Sequence, residues 1–127
     1  MSATLPTPSP HDAVRMLAIV PWAERLRAGR MKPPIGLIRN DVRSLQELEL
    51  LLEPAPSTLP GLDFASAAAW VETVIGDAAL AAAMREEAAR DASYVQRCLG
   101  LHAIVRRRVE QVREAARAAG ALAEKEA

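Results

Sequence analysis

Cys98 and His102 are the side chains of this 127-residue sequence whose chemistry and spacing come closest to a catalytic pair. Four residues apart on a helix, a thiol and an imidazole share one face and could form a nucleophile pair or supply two metal ligands. Two ligands are too few for a metal site, and the other histidine, His11, lies in the N-terminal region. We therefore interpret His102 as a buried polar residue that sets helix register. Because HExxH, GxSxG and a glycine-rich phosphate loop do not occur either, we predict neither an enzyme nor a cofactor.

A stripe of apolar residues at heptad a and d spacing, here named the C-terminal stripe, contains this pair. The three-four alternation continues for about four heptads, which indicates a helix-packing seam. The seam packs either on the rest of its own chain or on a second helix in an intermolecular coiled coil. We expect it to be the partner interface. Its predicted interface residues are Val95, Cys98, His102, Val105, Val109, Val112 and Ala116.

Arginines flank the C-terminal stripe and form a basic helix face that could neutralise phosphates. Glu110 and Glu114 are interleaved with them, and this segment lacks the aromatic side chains that usually accompany base recognition. Nucleic-acid binding is therefore the alternative hypothesis. The predicted polyanion contacts are Arg106, Arg107, Arg108, Arg113 and Arg117.

Charge is unevenly distributed along the chain although the formal net charge is zero. Residues 1–43 carry seven Lys or Arg and three acids, whereas residues 44–84 carry six acids and no base. Residues 85–127 carry nine bases and seven acids. We expect the acidic middle segment to pack near the basic flanks.

The coarse pattern along the chain predicts an all-α fold, a small helical bundle with a long C-terminal helix or helical hairpin. Residues 1–10 are proline-rich and predict a disordered lead-in, residues 11–119 a single helical domain, and residues 120–127 a frayed tail. The stretch from 35 to 38 is the one candidate for a short strand, with no obvious pairing partner. Gly100 lies either inside one long helix or at the turn of a hairpin.

Local signals mark where three of the helices begin. Ser44 and Glu47 form a capping box of the S-x-x-E kind. Asp63 can cap the following helix. Gly76 supplies a left-handed end to that helix, and Asp77 caps the next one.

These same positions carry a resemblance to a known family. The motifs are S-L-x-E-L from residue 44, D-F at residue 63 and W-V-x-x-V-I-G-D-x-x-L-A from residue 70. Over about residues 35–90 they resemble a family of small uncharacterised prokaryotic helical domains, in which an S-L-x-E-L helix precedes a D-F-x-x-W-[IV] segment and a G-D-x-x-L-A helix start. This chain departs from the pattern by placing five residues, rather than two, between Phe64 and Trp70. The resemblance implies a capped helix, an aromatic anchor and a Gly-Asp junction, and it implies no activity.

Compartment and partners follow from simple features of the sequence. A single cysteine excludes an internal disulfide, and no basic segment leads into an apolar signal-peptide core. Uncharged runs are far shorter than the roughly 20 residues of a membrane span, so we expect a cytoplasmic protein that does not enter a membrane. We expect a non-catalytic protein–protein interaction or assembly module, either an accessory subunit or a homodimeric adapter, that binds through its C-terminal helix.

Overall fold

The all-α prediction is wrong, because the helices are joined by a three-stranded antiparallel sheet of order β2-β1-β3. The computed structural model describes residues 5–53, 55 and 57–126, and the side chains of residues up to 120. The elements are α1 (Pro10–Met16), a 3₁₀ turn (Trp22–Glu24), β1 (Gly29–Lys32), β2 (Gly36–Arg39), α2 (Leu45–Leu52), β3 (Leu59–Gly61), α3 (Phe64–Trp70), a π turn (Val71–Ile75), α4 (Ala78–Ala88) and α5 (Tyr94–Glu126).

The β1–β2 hairpin explains why the fold class was wrong. The candidate strand at 35–38 does have a partner, β1, which lies in a segment predicted to belong to the helical domain. The chain reverses at Pro33 to Ile35, with a cis Pro33–Pro34 peptide bond. Gly36 begins β2 with a φ of 101°, a conformation that residues with a Cβ rarely adopt. Strands of three or four residues are too short to give a clear alternation, so tertiary pairing decides their structure.

The predicted helix starts are confirmed. Ser44 Oγ accepts from the Glu47 N–H at 3.1 Å, and Glu47 Oε1 reaches back to the Arg43 N–H at 3.3 Å. Asp63 Oδ2 accepts from the Ser66 N–H at 3.1 Å. These side chains satisfy donors that have no partner within the first helical turn, so a local sequence signal is enough to place the helix.

The Gly-Asp junction is built as predicted, and it fixes Asp77 in the protein interior. The Val71 carbonyl accepts from the N–H groups of both Gly76 and Asp77 at 3.0 Å. Gly76 has the expected left-handed φ of 83°, and Asp77 Oδ1 then caps α4 through the Leu80 N–H at 3.1 Å. A tight junction thus leaves the buried Asp77 carboxylate close to α5.

Gly100 lies inside α5, so the turn between the two long helices is elsewhere. The break falls between Ala88 and Tyr94, where Ser93 and Gln96 form a reciprocal capping box. Ser93 Oγ accepts from the Gln96 N–H at 3.1 Å, and Gln96 Oε1 accepts from the Ser93 N–H at 3.1 Å. Gly100 has a packing role, because the Glu87 side chain lies where its Cβ would be.

The hydrophobic core lies where α5 packs against α1, α2 and α4. α2 contributes four buried leucines to it, and α5 contributes its apolar face. Although α5 has 33 residues, no helix in the described part of the chain combines the length and apolar character needed to cross a bilayer. The largest fully buried side chains include Leu45, Leu48, Leu51, Leu52, Leu80, Met84, Leu101, Val105 and Val112.

Part of the proline-rich lead-in is placed against α5. Residues 1–4 lie outside the described part, and α1 begins at Pro10. The Leu5 carbonyl accepts from Gln111 Nε2 at 2.8 Å, and the Pro6 carbonyl accepts from Arg108 Nη1 at 2.7 Å. At the other end, α5 continues through the predicted tail to Glu126.

Candidate functional site

Most of the C-terminal stripe is covered by the protein's own chain. Val105 and Val112 are fully buried, and Cys98 and Val109 are nearly so. His102 and Ala116 are half-buried, and Val95 is 45% exposed. Of the two alternatives that the spacing left open, packing on the same chain is the one that the contacts with α1, α2 and α4 support.

The thiol and imidazole at positions 98 and 102 are poorly placed for covalent chemistry. Burial raises the pKa of the Cys98 thiol, which lowers the fraction of the reactive thiolate. The hydrogen-bond partner of this thiol is the Tyr94 hydroxyl rather than an imidazole. Among the described residues, no three His, Cys, Asp or Glu side chains lie together in a way that could hold a metal ion.

Arg108, the centre of the predicted basic face, points into the protein. Its side chain is 3% exposed and forms a two-pronged ion pair with Asp77, with Nε–Oδ2 at 2.8 Å and Nη2–Oδ1 at 2.9 Å. Nη1 donates to Gln111 Oε1 at 2.7 Å as well as to the Pro6 carbonyl. This pair joins the acidic middle segment to the basic C-terminal third, as the charge distribution predicted.

The other arginines of that face lie at the surface. Arg106 is 3.6 Å from Glu110, and Arg117 is 3.7 Å from Glu114, so acids on the same helix already balance two of them. Arg107 and Arg113 are exposed as well. The contacts of these side chains do not favour a phosphate-binding face over an ordinary charged helix surface.

An exposed apolar surface occurs instead on the β1–β2 hairpin and the strand beside it. We name the hairpin, residues 28–40, the arm. From Met31 to Asn40 every residue except Gly36 is exposed, and Ile35 and Leu37 are 69% and 60% exposed. Large apolar side chains at such exposure mark interaction surfaces when they are contiguous. The exposed apolar side chains here are Met31, Ile35, Leu37, Ile38 and Leu59.

The strand register sorts these side chains onto two faces. Met31 lies opposite both Leu37 and Leu59, so these three form one row across the outer face of the sheet. Ile38 lies opposite Arg30 on the inner face. Successive residues of a strand point to opposite faces, so the arm presents apolar side chains on both.

Two glycines let Leu37 lie flat on the outer face. A Cβ at Gly29 would come within 2.8 Å of Leu37 Cδ1, and a Cβ at Gly61 within 2.5 Å. The Leu37 side chain therefore occupies the space above both glycines and extends the apolar row across all three strands.

The base of the arm is held by buried polar groups. Asp41 accepts from Arg25 Nε at 2.7 Å, from Arg39 Nε at 3.0 Å and from the Ala28 N–H at 3.2 Å. The Arg25 hydrogen bond, helped by the other two, lowers the pKa of the Asp41 carboxyl to about 2. A carboxylate held in this way remains charged and fixes both ends of the hairpin.

Arg30 fastens the inner face of the arm to the end of α2. Its guanidinium donates to the carbonyls of Leu50 and Glu53, at 2.9 and 3.2 Å, and to Thr58 Oγ1 at 3.1 Å. These contacts satisfy carbonyls at a helix C-terminus, where a cation is favourable. The arm is thus a braced projection rather than a loose loop.

Comparisons with protein-family models, with curated proteins and with solved structures give no match to this chain. The resemblance to the small prokaryotic helical domains therefore stays a prediction. The candidate site is defined by the geometry described above.

Sequence reasoning missed the arm, although parts of its signal were present. Ile35, Leu37 and Ile38 were recognised as a possible strand, but Gly29 to Lys32 offered no apolar pattern to pair with it. The signal for the start of α5, S-x-x-Q at Ser93, was missed, although it has the same form as the S-x-x-E signal recognised at Ser44.

Proposed function

We propose that this protein is a non-catalytic protein–protein interaction module, a small accessory subunit or adapter, that binds its partner through the arm. The observation that carries this proposal is the contiguous exposed apolar row of Met31, Leu37 and Leu59 on the outer face, with Ile35 exposed at the turn and Ile38 exposed on the inner face. A partner that covered these side chains would gain roughly 25 cal/mol of binding free energy for each Å² of apolar surface removed from water.

The rigidity of the arm also supports binding. An interface whose backbone is already fixed loses less conformational entropy when its partner arrives. The Asp41 and Arg30 contacts fix the arm in the free protein. The proposal thus moves the interface from the C-terminal stripe, which the core already uses, to the arm.

The proposed setting is the cytoplasm. The sequence has a single cysteine, Cys98, and its side chain is buried, which suits a protein that forms no disulfide, the usual case in a reducing compartment. Expression of a fluorescent fusion of the full chain checks this location.

The test of the function is site-specific photo-crosslinking followed by binding with purified components. A photoreactive amino acid is placed at Leu37 and, as a control, at Leu99, which is 45% exposed on α5. We expect one protein to be captured from Leu37 and not from Leu99. The captured protein, once purified, should bind the native chain, and Leu37→Asp should weaken binding by tenfold or more, about 1.4 kcal/mol.

Two results would contradict the proposal. Capture of the same proteins from both positions would mean that the arm is not selective. Unchanged binding of the purified partner to Leu37→Asp, with loss of binding in Leu99→Asp, would place the interface on α5. Capture of a second copy of the chain from Leu37 supports the adapter form of the proposal.

A further inference from the structure

We propose that the arm binds by strand addition: an extended segment of a different protein, bearing an acidic residue next to apolar residues, pairs antiparallel with the outer edge of β2. This inference rests on the proposed function and names the chemistry of the partner and its mode of binding. It follows from the backbone of the arm, its charge and its size.

The hydrogen-bond alternation shows which backbone groups of β2 face outward. Leu26 and Val42 exchange N–H and C=O bonds at 2.8 and 2.9 Å, and the Asn40 N–H donates to the Ala28 carbonyl at 3.0 Å. In an antiparallel pair such bonded positions alternate with non-bonded ones. Ile38 is therefore a bonded position that faces β1, whereas Leu37 and Arg39 direct their N–H and C=O groups away from the sheet.

The two edges of the sheet differ in whether they are protected from pairing with a further strand. At the β3 edge, Pro60 has no N–H to offer, and its carbonyl accepts a hydrogen bond from the Tyr94 hydroxyl of α5. Proteins commonly protect edge strands by such means. In the part of the chain that the structure describes, β2 is the other edge strand and pairs only with β1. Its outer side is a template for one further strand.

Charge favours an acidic segment. From residue 28 to residue 40 the chain has three bases and no acid. Two of these bases are exposed: Arg39 lies on the face of the apolar row, with its Nε bonded to Asp41, and Lys32 lies on the opposite face. Arg30 is taken up by α2. An opposite charge directly across a strand pair is stabilising, and a like charge is destabilising.

The size of the surface also favours a peptide segment over a second copy. Strands of about four residues spaced by roughly 4.8 Å make a face of about 13 by 14 Å. That is on the order of 200 Å², far below the roughly 800 Å² that each partner contributes to a stable protein–protein interface. An extended segment gains main-chain hydrogen bonds along the edge in addition to side-chain contacts, so it needs less area.

The register gives a specific expectation for the bound segment. An acidic residue lies opposite Arg39, an apolar residue opposite Ile38, and a second apolar residue opposite Leu37. The N–H groups of the residues opposite Arg39 and Leu37 face β2, and the N–H group of the residue opposite Ile38 faces away.

The test uses the full chain as one polypeptide of 127 residues and the synthetic peptide TTEVIVETT, which offers this pattern. Amide resonances of the protein are followed during titration. We expect the amides of Leu37 and Arg39 to show the largest shifts and to become protected from exchange. The lysine peptide TTKVIVKTT should bind at least tenfold more weakly.

Backbone methylation of the peptide isolates the strand pairing from side-chain contact. Methylation of the central isoleucine amide removes a donor that faces β2, so binding should be lost. Methylation of either valine amide removes a donor that faces away, so binding should change by less than threefold. Each valine-methylated peptide has the same composition as the isoleucine-methylated peptide and is its matched control.

The outcomes separate this inference from the proposed function. Strand addition would be overturned if the isoleucine-methylated and valine-methylated peptides lost binding equally, or if the lysine peptide bound as tightly as TTEVIVETT. Amide shifts centred away from β2 would also overturn it. An absence of saturable shifts with TTEVIVETT would do the same. Capture of a partner from Leu37 but not from Leu99 would still support the arm as the interface in each of these cases.

Discussion

The C-terminal stripe and the arm both carry apolar side chains on a regular element, but only the stripe is covered by its own chain. On α5 the three-four spacing puts Val105 and Val112 on a face that α1, α2 and α4 enclose. On the arm, strand alternation sends Leu37 to one face and Ile38 to the other, and both stay exposed. The difference teaches that spacing identifies which residues share a face, whereas the tertiary fold decides what covers that face.

A charge introduced at the centre of the C-terminal stripe should have the largest effect on stability, and it tests this difference most strongly. Val105→Asp would bury an unpaired carboxylate in the core, and we expect a loss of more than about 4 kcal/mol of unfolding free energy. Val95→Asp is the matched control, because Val95 is 45% exposed on the same helix, and it should cost less than about 1 kcal/mol. Urea unfolding followed by circular dichroism measures both. A folded, stable Val105→Asp variant with a lower molar mass than the native protein would instead support the hypothesis of an intermolecular coiled coil.

Removal of Arg108 is the next largest expected effect. Arg108→Ala leaves the buried Asp77 carboxylate without its partner, and such losses cost about 3–5 kcal/mol. Arg106→Ala is the control, because its ion pair with Glu110 is more than half exposed. That control should change stability by less than about 1 kcal/mol. Equal effects of the two variants in urea unfolding would show that Arg108 belongs to the charged surface rather than to the core.

Lowering the pH should weaken the Asp41 contacts that hold the base of the arm. The pKa of Asp41 is lowered to about 2 in the folded protein, chiefly by its hydrogen bond from Arg25. The stabilisation is therefore fully present above the ordinary carboxyl pKa near 4 and is lost as the pH falls through about 2. It amounts to at most about 2 kcal/mol, at 1.36 kcal/mol per pH unit. Asp41→Asn should remove this part of the pH dependence of unfolding, and an unchanged profile between pH 4 and pH 2 would contradict the role of Asp41.

Substitution on the arm should have the smallest effect on folding. Ile35→Asp changes a side chain that is 69% exposed at the turn, so stability should change by less than about 0.5 kcal/mol. This change should nevertheless weaken partner binding. A large loss of stability in urea unfolding would mean that the arm belongs to the core.

Part of the fold was predictable because its causes are local. The side chains of Ser44, Asp63 and Asp77 bond amides three residues ahead, so the sequence neighbourhood contains both partners. Gly76 is similar, since its left-handed conformation depends on the absence of its own Cβ.

The rest depends on partners distant in sequence. β1 has little apolar pattern of its own, and its strand conformation comes from pairing with β2 and β3. Arg108 and Asp77 are 31 residues apart, so their pairing could be anticipated only as an attraction between segments of opposite charge. The interface prediction on α5 was made from spacing alone, which cannot tell an internal face from an external one.

The most direct measurement is amide hydrogen exchange on the full chain, alone, at two protein concentrations that differ about a hundredfold. We predict slow exchange for the amides of Leu101 to Val112 at both concentrations, because their cover is intramolecular. We also predict fast exchange at Leu37 and Arg39 and slow exchange at Ile38, because Ile38 faces β1. Loss of α5 protection on dilution, or slow exchange at Leu37 and Arg39 in the isolated protein, would contradict the assignment of the stripe to the core and of the arm to the partner.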